Sequence, residues 1–242
     1  MTMKDSNVVL ILLGTMAAAA AGQRAPSRTA AASARPAVEF VGPARWWIEP
    51  VDQDQPIDGH LYFEVVVQNL STRELTVGVS FRAYLADGTP YPGCFGPGGA
   101  GASTNVRPGE KAALFCTRTI APLTLKSLQV TSRIEQAAPV EAIGAPAVHP
   151  SDVTLSNARA DLYGKNSYTA STLLHLSGGK DIPTYVLFRF YDADDIQLET
   201  CTSGGVLVQP EIALKATCSG PVILPAAIAR PSKVTAESRS PR

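Results

Sequence analysis

FRAYLADGTPYPGC, from Phe81 to Cys94, and FRFYDADDIQLETC, from Phe188 to Cys201, carry Phe, Arg, Tyr, Ala, Asp and Cys in register, 107 residues apart. Downstream, VRPGEKAALFC (Val106 to Cys116) matches VQPEIALKATC (Val208 to Cys218) at an offset of 102. The five residues lost lie in the Gly-rich stretch FGPGGAGA after Cys94. A third match follows at Val130-Thr131 and Val234-Thr235. A repeat of about 105 residues is too long for a solenoid unit, so it implies two copies of one domain.

Around these anchors the chain alternates with the period of two that a strand requires. Leu75, Val77, Val79, Phe81 and Ala83 are apolar, and Thr76, Gly78, Ser80, Arg82 and Tyr84 stand between them. That pattern predicts a strand with one buried face. Val186, Phe188 and Phe190 repeat it, and Leu61, Phe63, Val65 and Val67 form an earlier strand, joined to its neighbour by the turn-forming run Asn69 to Arg73. Asp87-Gly88 and Asp194-Asp195 mark further turns. Each copy offers six or seven short strands at the spacing of an immunoglobulin-like sandwich. The expected fold is therefore all-β: two tandem immunoglobulin-like β-sandwiches, each with one internal disulfide.

Bulk properties agree. The chain has 242 residues, 45% of them hydrophobic, which suits two ordinary domains. Nineteen Gly and nineteen Pro favour many turns over long helices. Lys plus Arg and Asp plus Glu are both 21, so no basic face for nucleic acid or an anionic membrane is implied.

The first residues read as a targeting segment: Lys4 precedes an apolar run from Val8 to Ala21 that is too short to span a bilayer and ends in small residues. The expected secretory signal is residues 1–21, with the small-x-small pattern at Ala19 and Ala21; a second such pattern stands at Ala32 and Ala34, and an uncleaved anchor is the alternative. The other expected boundaries are a flexible lead-in over 22–36, domain one over 37–136, a Pro-containing linker over 137–149 and domain two over 150–239. After signal cleavage no membrane span is expected, and the chain is expected to be exported, to the periplasm or beyond. Cutting the linker near Ala145 is expected to leave two halves that each fold.

Four cysteines allow three pairings, and the repeat selects one. A hairpin turn centred on Gln209-Pro210 sets Cys201 opposite Cys218. A turn at Arg107-Pro108 sets Cys116 five residues from Cys94, a mismatch equal to the extra Gly-rich stretch. The expected bonds are Cys94 to Cys116 and Cys201 to Cys218, which persist only in an oxidising compartment. The spacing fits neither C-x2-C nor C-x4-C, against a metal site.

The FRAYL and FRFYD strands, each followed by an Asp turn and then a V-x-P turn, resemble the FxLYD-type immunoglobulin-like repeats of bacterial extracytoplasmic proteins. Copy two keeps Phe188, Tyr191 and Asp192 but has Phe190 where Leu is usual; copy one keeps Phe81 and Tyr84 but has Ala83 and Leu85. The resemblance implies an envelope or secreted module and is nearly silent on function.

No catalytic constellation is legible. His60, His149 and His175 read as lying in a turn, the linker and a strand, without H-E-x-x-H or H-x-H spacing. GPGGAGA lacks the Lys of a phosphate-binding loop and reads as a flexible loop. Asp52, Asp54 and Asp58 resemble a calcium loop, but Pro56 occupies a ligand position; Asp192, Asp194 and Asp195 read as an exposed acidic turn. No cofactor is implied. Trp46 and Trp47 should point to opposite faces of one strand, one into the core and one outward as a partner contact, unless the neighbouring domain covers it. Arg82 and Arg189 should share the outer face with Tyr84 and Tyr191 in cation–π or stacking pairs.

These readings favour a non-catalytic envelope or secreted module that binds or spaces a protein or polysaccharide. One alternative is a two-domain periplasmic chaperone acting by strand addition, which a buried Arg and Lys pair between the domains would favour. The other is an enzyme or enzyme inhibitor with determinants not visible in the sequence.

Overall fold

The computed structural model describes residues 36–50, 58–94, 101–141, 147–158, 166–220, 222–225, 227–228 and 230–240. The signal segment, lead-in residues 22–35, Asp52, Asp54, Pro56 and residues 95–100 of the Gly-rich stretch lie outside them. Copy one holds β1 (Val38–Phe40), β2 (Arg45–Pro50), β3 (Asp58–Asn69), β4 (Leu75–Tyr84), β5 (Pro90–Cys94), β6 (Ala102–Val106), β7 (Lys111–Pro122) and β8 (Gln129–Pro139). Copy two holds β9 (Val148–Ala158), β10 (Asn166–Leu176), β11 (Ile182–Tyr191), β12 (Ile196–Thr202), β13 (Val206–Val208), β14 (Leu214–Thr217), β15 (Val222–Leu224) and β16 (Lys233–Arg239). The described residues contain no helix.

The duplication extends from sequence to register. Phe81 lies opposite Cys94 on one side and Ser132 on the other, and Phe188 lies opposite Cys201 and Ala236. Leu75 pairs with Val106 as Ile182 pairs with Val208. In each copy a central strand, β4 or β11, carries an interrupted neighbour on one flank and the last strand of the copy on the other. In copy one this sheet faces β1, β2, β3 and β7; in copy two it faces β9, β10, β14 and β15.

The apolar alternation decides the two cores. Leu61, Phe63, Val65 and Val67 from β3 meet Val77, Val79 and Phe81 from β4, and the rings of Phe63 and Phe81 stack at 5.8 Å. Val186, Phe188 and Phe190 fill the second core with Leu174, Leu224 and Ile228. Burying each such side chain stabilises the fold by about 1.5–3 kcal/mol.

The copies do not stand apart. Edge strand β7 of copy one runs parallel to β12 of copy two, with Lys111 opposite Ile196 and Ala112 opposite Gln197, so half of each sandwich joins one eight-stranded sheet. Residues from Pro36 onward form one compact unit. The small sheet of copy one packs over one face of this sheet and that of copy two over the other, so each copy covers the outer face of its partner. Ala113 is accordingly part of the copy-two core, and Trp47, Val66 and Phe115 pack against it. The expected linker also shortens: β8 continues to Pro139, paired with Leu75, and β9 begins at Val148, paired with Leu176.

Both disulfides form as the repeat implies, Cys94–Cys116 and Cys201–Cys218, with no free cysteine. The hairpin route to them needs correction. After Cys201 the chain forms β13 against β11, then crosses to the other sheet as β14 against β10. Each bridge therefore joins the two sheets of its sandwich rather than opposed positions of one hairpin. Gly101, the first described residue of the Gly-rich stretch, shows why glycine is needed there: a Cβ would collide with the Cys94 carbonyl oxygen.

Two turns preserve their shape across the copies while losing their glycine. Gly88 and Gly109 have φ of 84° and 76°, and their counterparts Asp195 and Glu211 hold φ of 57° and 63°. Left-handed backbone costs an L-residue about 1–2 kcal/mol. Glu211 makes no side-chain bond among the described residues that would offset this, so Glu211→Gly is expected to stabilise the protein by about 1 kcal/mol. Chemical denaturation checks it; an unchanged or lower stability would refute the account.

Candidate functional site

The seam between the copies concentrates the polar chemistry of the molecule. Arg189 extends from the outer face of β11 and is 0% exposed. Its Nη2 donates to Glu74 Oε1 at 2.5 Å and its Nη1 to Glu237 Oε2 at 2.7 Å. Arg239 donates from Nη2 to Glu74 Oε2 at 2.8 Å and from Nε to Glu237 Oε1 at 3.1 Å, and Arg107 reaches Glu237 Oε2 at 2.8 Å. The Tyr191 hydroxyl donates to Glu110 at 3.2 Å, and Gln197 Nε2 donates to Thr104 Oγ1 and the Asn105 carbonyl, both at 3.0 Å. Three carboxylates and three guanidiniums thus neutralise one another across the two copies.

This overturns the expectation for the FRxY arginines. Arg82 is exposed, as an outer-face residue of copy one should be, but Arg189 is buried because copy one covers that face. The cation over the Tyr191 ring is Lys233, at 5.3 Å, not Arg189. The buried cations at the seam are two arginines already engaged by carboxylates, not the Arg and Lys pair that would favour a strand-adding chaperone.

Burial acts on the Glu237 carboxyl to raise its pKa, but hydrogen bonds from Arg189, Arg239 and Arg107 outweigh it and hold it at about 2, against an ordinary value of 4.5. A carboxylate depressed in the folded state adds stability that is fully present above pH 4.5 and disappears as pH falls toward about 2. Melting temperature followed through that window should fall more steeply for the native protein than for Glu237→Gln; parallel curves would count against the network. Burial also raises the Tyr191 hydroxyl, with Glu110 adding to it, and raises Glu199.

Beside the network opens a cavity of about 490 Å3 lined by Thr76, Asn105, Pro139, Val140, Glu141, Tyr185 and Arg239, drawn from both copies. Thr76 Oγ1 donates to Asn105 Oδ1 at 2.8 Å, which fixes the amide on the wall. A second cavity beside Glu199, about 30 Å3, has room for a water but not a substrate. Glu199 Oε1 is taken by the Thr200 amide at 2.9 Å.

The residues singled out from sequence are placed as follows. Trp46 and Trp47 do face opposite ways, yet both are half-buried: Trp46 packs against the copy-one core and Trp47 against the copy-two core. Trp47 stacks on Tyr62 at 5.3 Å, and its Nε1 donates to Glu49, which also accepts the Ala227 amide of copy two. Its covering is therefore the other copy. His60 lies in β3 rather than a turn, edge-on to Tyr62, and His149 lies in β9 rather than a linker, opposite His175. His175 Nε2 sits 3.0 Å from Ser151 Oγ. Asp192 Oδ1 accepts the Asp194 and Ile196 amides, which makes that acidic turn a structural cap. Among the described residues no three His, Cys, Asp or Glu are placed to hold a metal ion, and no helix is long and apolar enough to cross a membrane.

The cavity and network escape sequence reasoning because their members are ordinary polar outer-face residues. One signal was available: the positions equivalent to Arg133 and Glu135 carry Glu237 and Arg239, a reversal of charge between the copies.

No family model matches the chain, and no curated protein matches it. Among solved structures the chain is similar to the "N-terminal CBM22-1-CBM22-2 tandem domain from Paenibacillus barcinonensis Xyn10C", at 10% identity over 84% of this chain and 85% of that one, with a TM-score of 0.15.

Proposed function

We propose that this chain is a non-catalytic, exported module that acts by contact with a protein or polysaccharide of the cell envelope. The observation that carries the reading is the seam: two sandwiches share a sheet, a buried ion network fixes their mutual orientation, and a polar cavity opens between them. Such a body presents a preformed surface, and preformed concave surfaces between packed elements are where ligands are held. Two disulfides favour an oxidising compartment. The resemblance to FxLYD-type repeats is compatible with the same setting.

The test is capture from envelope extract by the intact, oxidised protein, with the retained component identified. Triple replacement of His60, His149 and His175 by Gln should leave capture intact: the proposed action is by contact, and although His175 meets the Ser151 hydroxyl at 3.0 Å, no carboxylate among the described residues is hydrogen-bonded to its ring to complete a relay. A triple variant that folds but loses all activity would overturn the non-enzyme reading.

One observation favours the strand-addition reading instead. β8 is eleven residues long and, among the described residues, pairs on one side only, with β4, which leaves a ladder edge of the kind that accepts an added strand. Protection of the β8 amides from hydrogen exchange by an extended peptide would support it.

A further inference from the structure

We infer that the cavity at the seam is a binding site for the terminal units of a neutral, hydroxyl-rich glycan, an assignment that rests on the contact function proposed above. At about 490 Å3 its volume falls among small-ligand sites, which run from about 300 to 1,000 Å3. Its walls offer hydrogen-bonding groups of both kinds. Asn105 accepts from Thr76 on Oδ1 and so keeps its NH2 as a donor on the wall. Tyr185 presents a half-buried phenol that donates, accepts and offers a ring face. Vicinal hydroxyls, each both donor and acceptor, match such a mixed set.

Charge narrows the class. Arg239 is the one cation among the described lining residues, and Glu74 and Glu237 already bind its guanidinium. An anionic ligand therefore finds no uncompensated positive charge among the described lining residues. Among the described lining residues an apolar ligand would meet only Pro139 and Val140 as aliphatic partners. An extended peptide needs a ladder edge for its backbone, but Thr76 is paired on both sides, with Asn105 and with Ala138, Tyr185 lies in β11, which has neighbours on both flanks, and the open edge of β8 reaches the cavity only at its last residue, Pro139, which has no N–H to donate.

The experiment is native affinity electrophoresis of the intact oxidised protein through gels containing a soluble glucan, a xylan, a galactomannan or, as the anionic probe, polygalacturonate. At least one neutral polymer should retard the protein. Tyr185→Phe should weaken that retardation about fivefold and Asn105→Ala about tenfold, each removing one or two hydrogen bonds. Tyr84→Phe, outside the cavity, should leave it unchanged; melting curves of the two Tyr variants should match the native protein, and Asn105→Ala, which also loses the bond from Thr76, should melt only slightly lower. Retardation that persists unaltered in Tyr185→Phe and Asn105→Ala would overturn the cavity assignment while upholding a polysaccharide-binding function elsewhere on the surface. Retardation by polygalacturonate alone, or by no polymer, would overturn the neutral-glycan assignment and leave the broader contact function to be judged by capture of a protein.

Discussion

Replacing Arg189 by Ala is expected to lower the stability of the protein by about 3–5 kcal/mol, a large share of the 5–15 kcal/mol that holds a typical domain folded. The side chain is 0% exposed, and its two Nη atoms bridge Glu74 of copy one to Glu237 of copy two. Removal leaves both carboxylates in the seam with Arg239 and Arg107 as their remaining partners, and a buried charge deprived of its partner is far more costly than the pair was beneficial. The control lies in the other copy, where Arg82 holds the equivalent position but is exposed, so Arg82→Ala should change stability by less than about 0.5 kcal/mol. Chemical denaturation of the two variants measures both. Effects of equal size would show that the seam does not lock the copies. Removing Glu74 together with Arg189 should cost less than the sum of the single replacements, since the two share one interaction.

The contrast between Arg82 and Arg189 also explains which features were legible in the sequence. Alternation along Leu75 to Ala83 and along Val186 to Phe190 reports the inner face of each sandwich, because apolar residues recur there with the period of a strand. The structure buries those positions almost completely. The duplicated cysteines report which strands approach each other, and the pairing followed even though the chain between them crosses sheets rather than turning back in a hairpin. The outer face follows a different logic. Tyr62, Glu64, Arg189 and Gln197 have the composition of a solvated sheet face, yet all four are buried in the packed pair of copies, Arg189 and Gln197 of copy two beneath Glu74, Thr104 and Asn105 of copy one. Period-two patterning cannot distinguish a polar face in water from one satisfied by a partner domain; only the identity of the partner charges does so. Glu64 illustrates this: it is 4% exposed and acceptable there because Arg45 donates to it at 2.5 Å.

The same covering predicts that the halves do not stand alone. A chain cut near Ala145 should remain a single associated body, and residues 148 onward expressed separately should lose a cooperative melt or melt far below the intact protein. Separation would expose Trp47, Val66, Ala113 and Phe115 of copy one and the core edge of copy two against which they pack. At about 1.5–3 kcal/mol for each large apolar side chain, that loss alone is about 5 kcal/mol or more. It would also end the parallel pairing of β7 with β12 and place Arg189 and Glu74 on different molecules. The internal disulfides, each closing a loop of about 20 residues, would still constrain the unfolded ensemble by about 3 kcal/mol apiece. Constraint of that size offsets only part of the lost burial. Size-exclusion chromatography of the nicked protein and thermal melts of the separate halves decide the matter. Two halves that elute apart and each melt cooperatively near the intact temperature would show that the sandwiches are independent, as the repeat alone suggests. In that case the shared sheet would be an accessory to folds already complete, and the seam cavity would lose the rigid walls on which its role as a binding site depends.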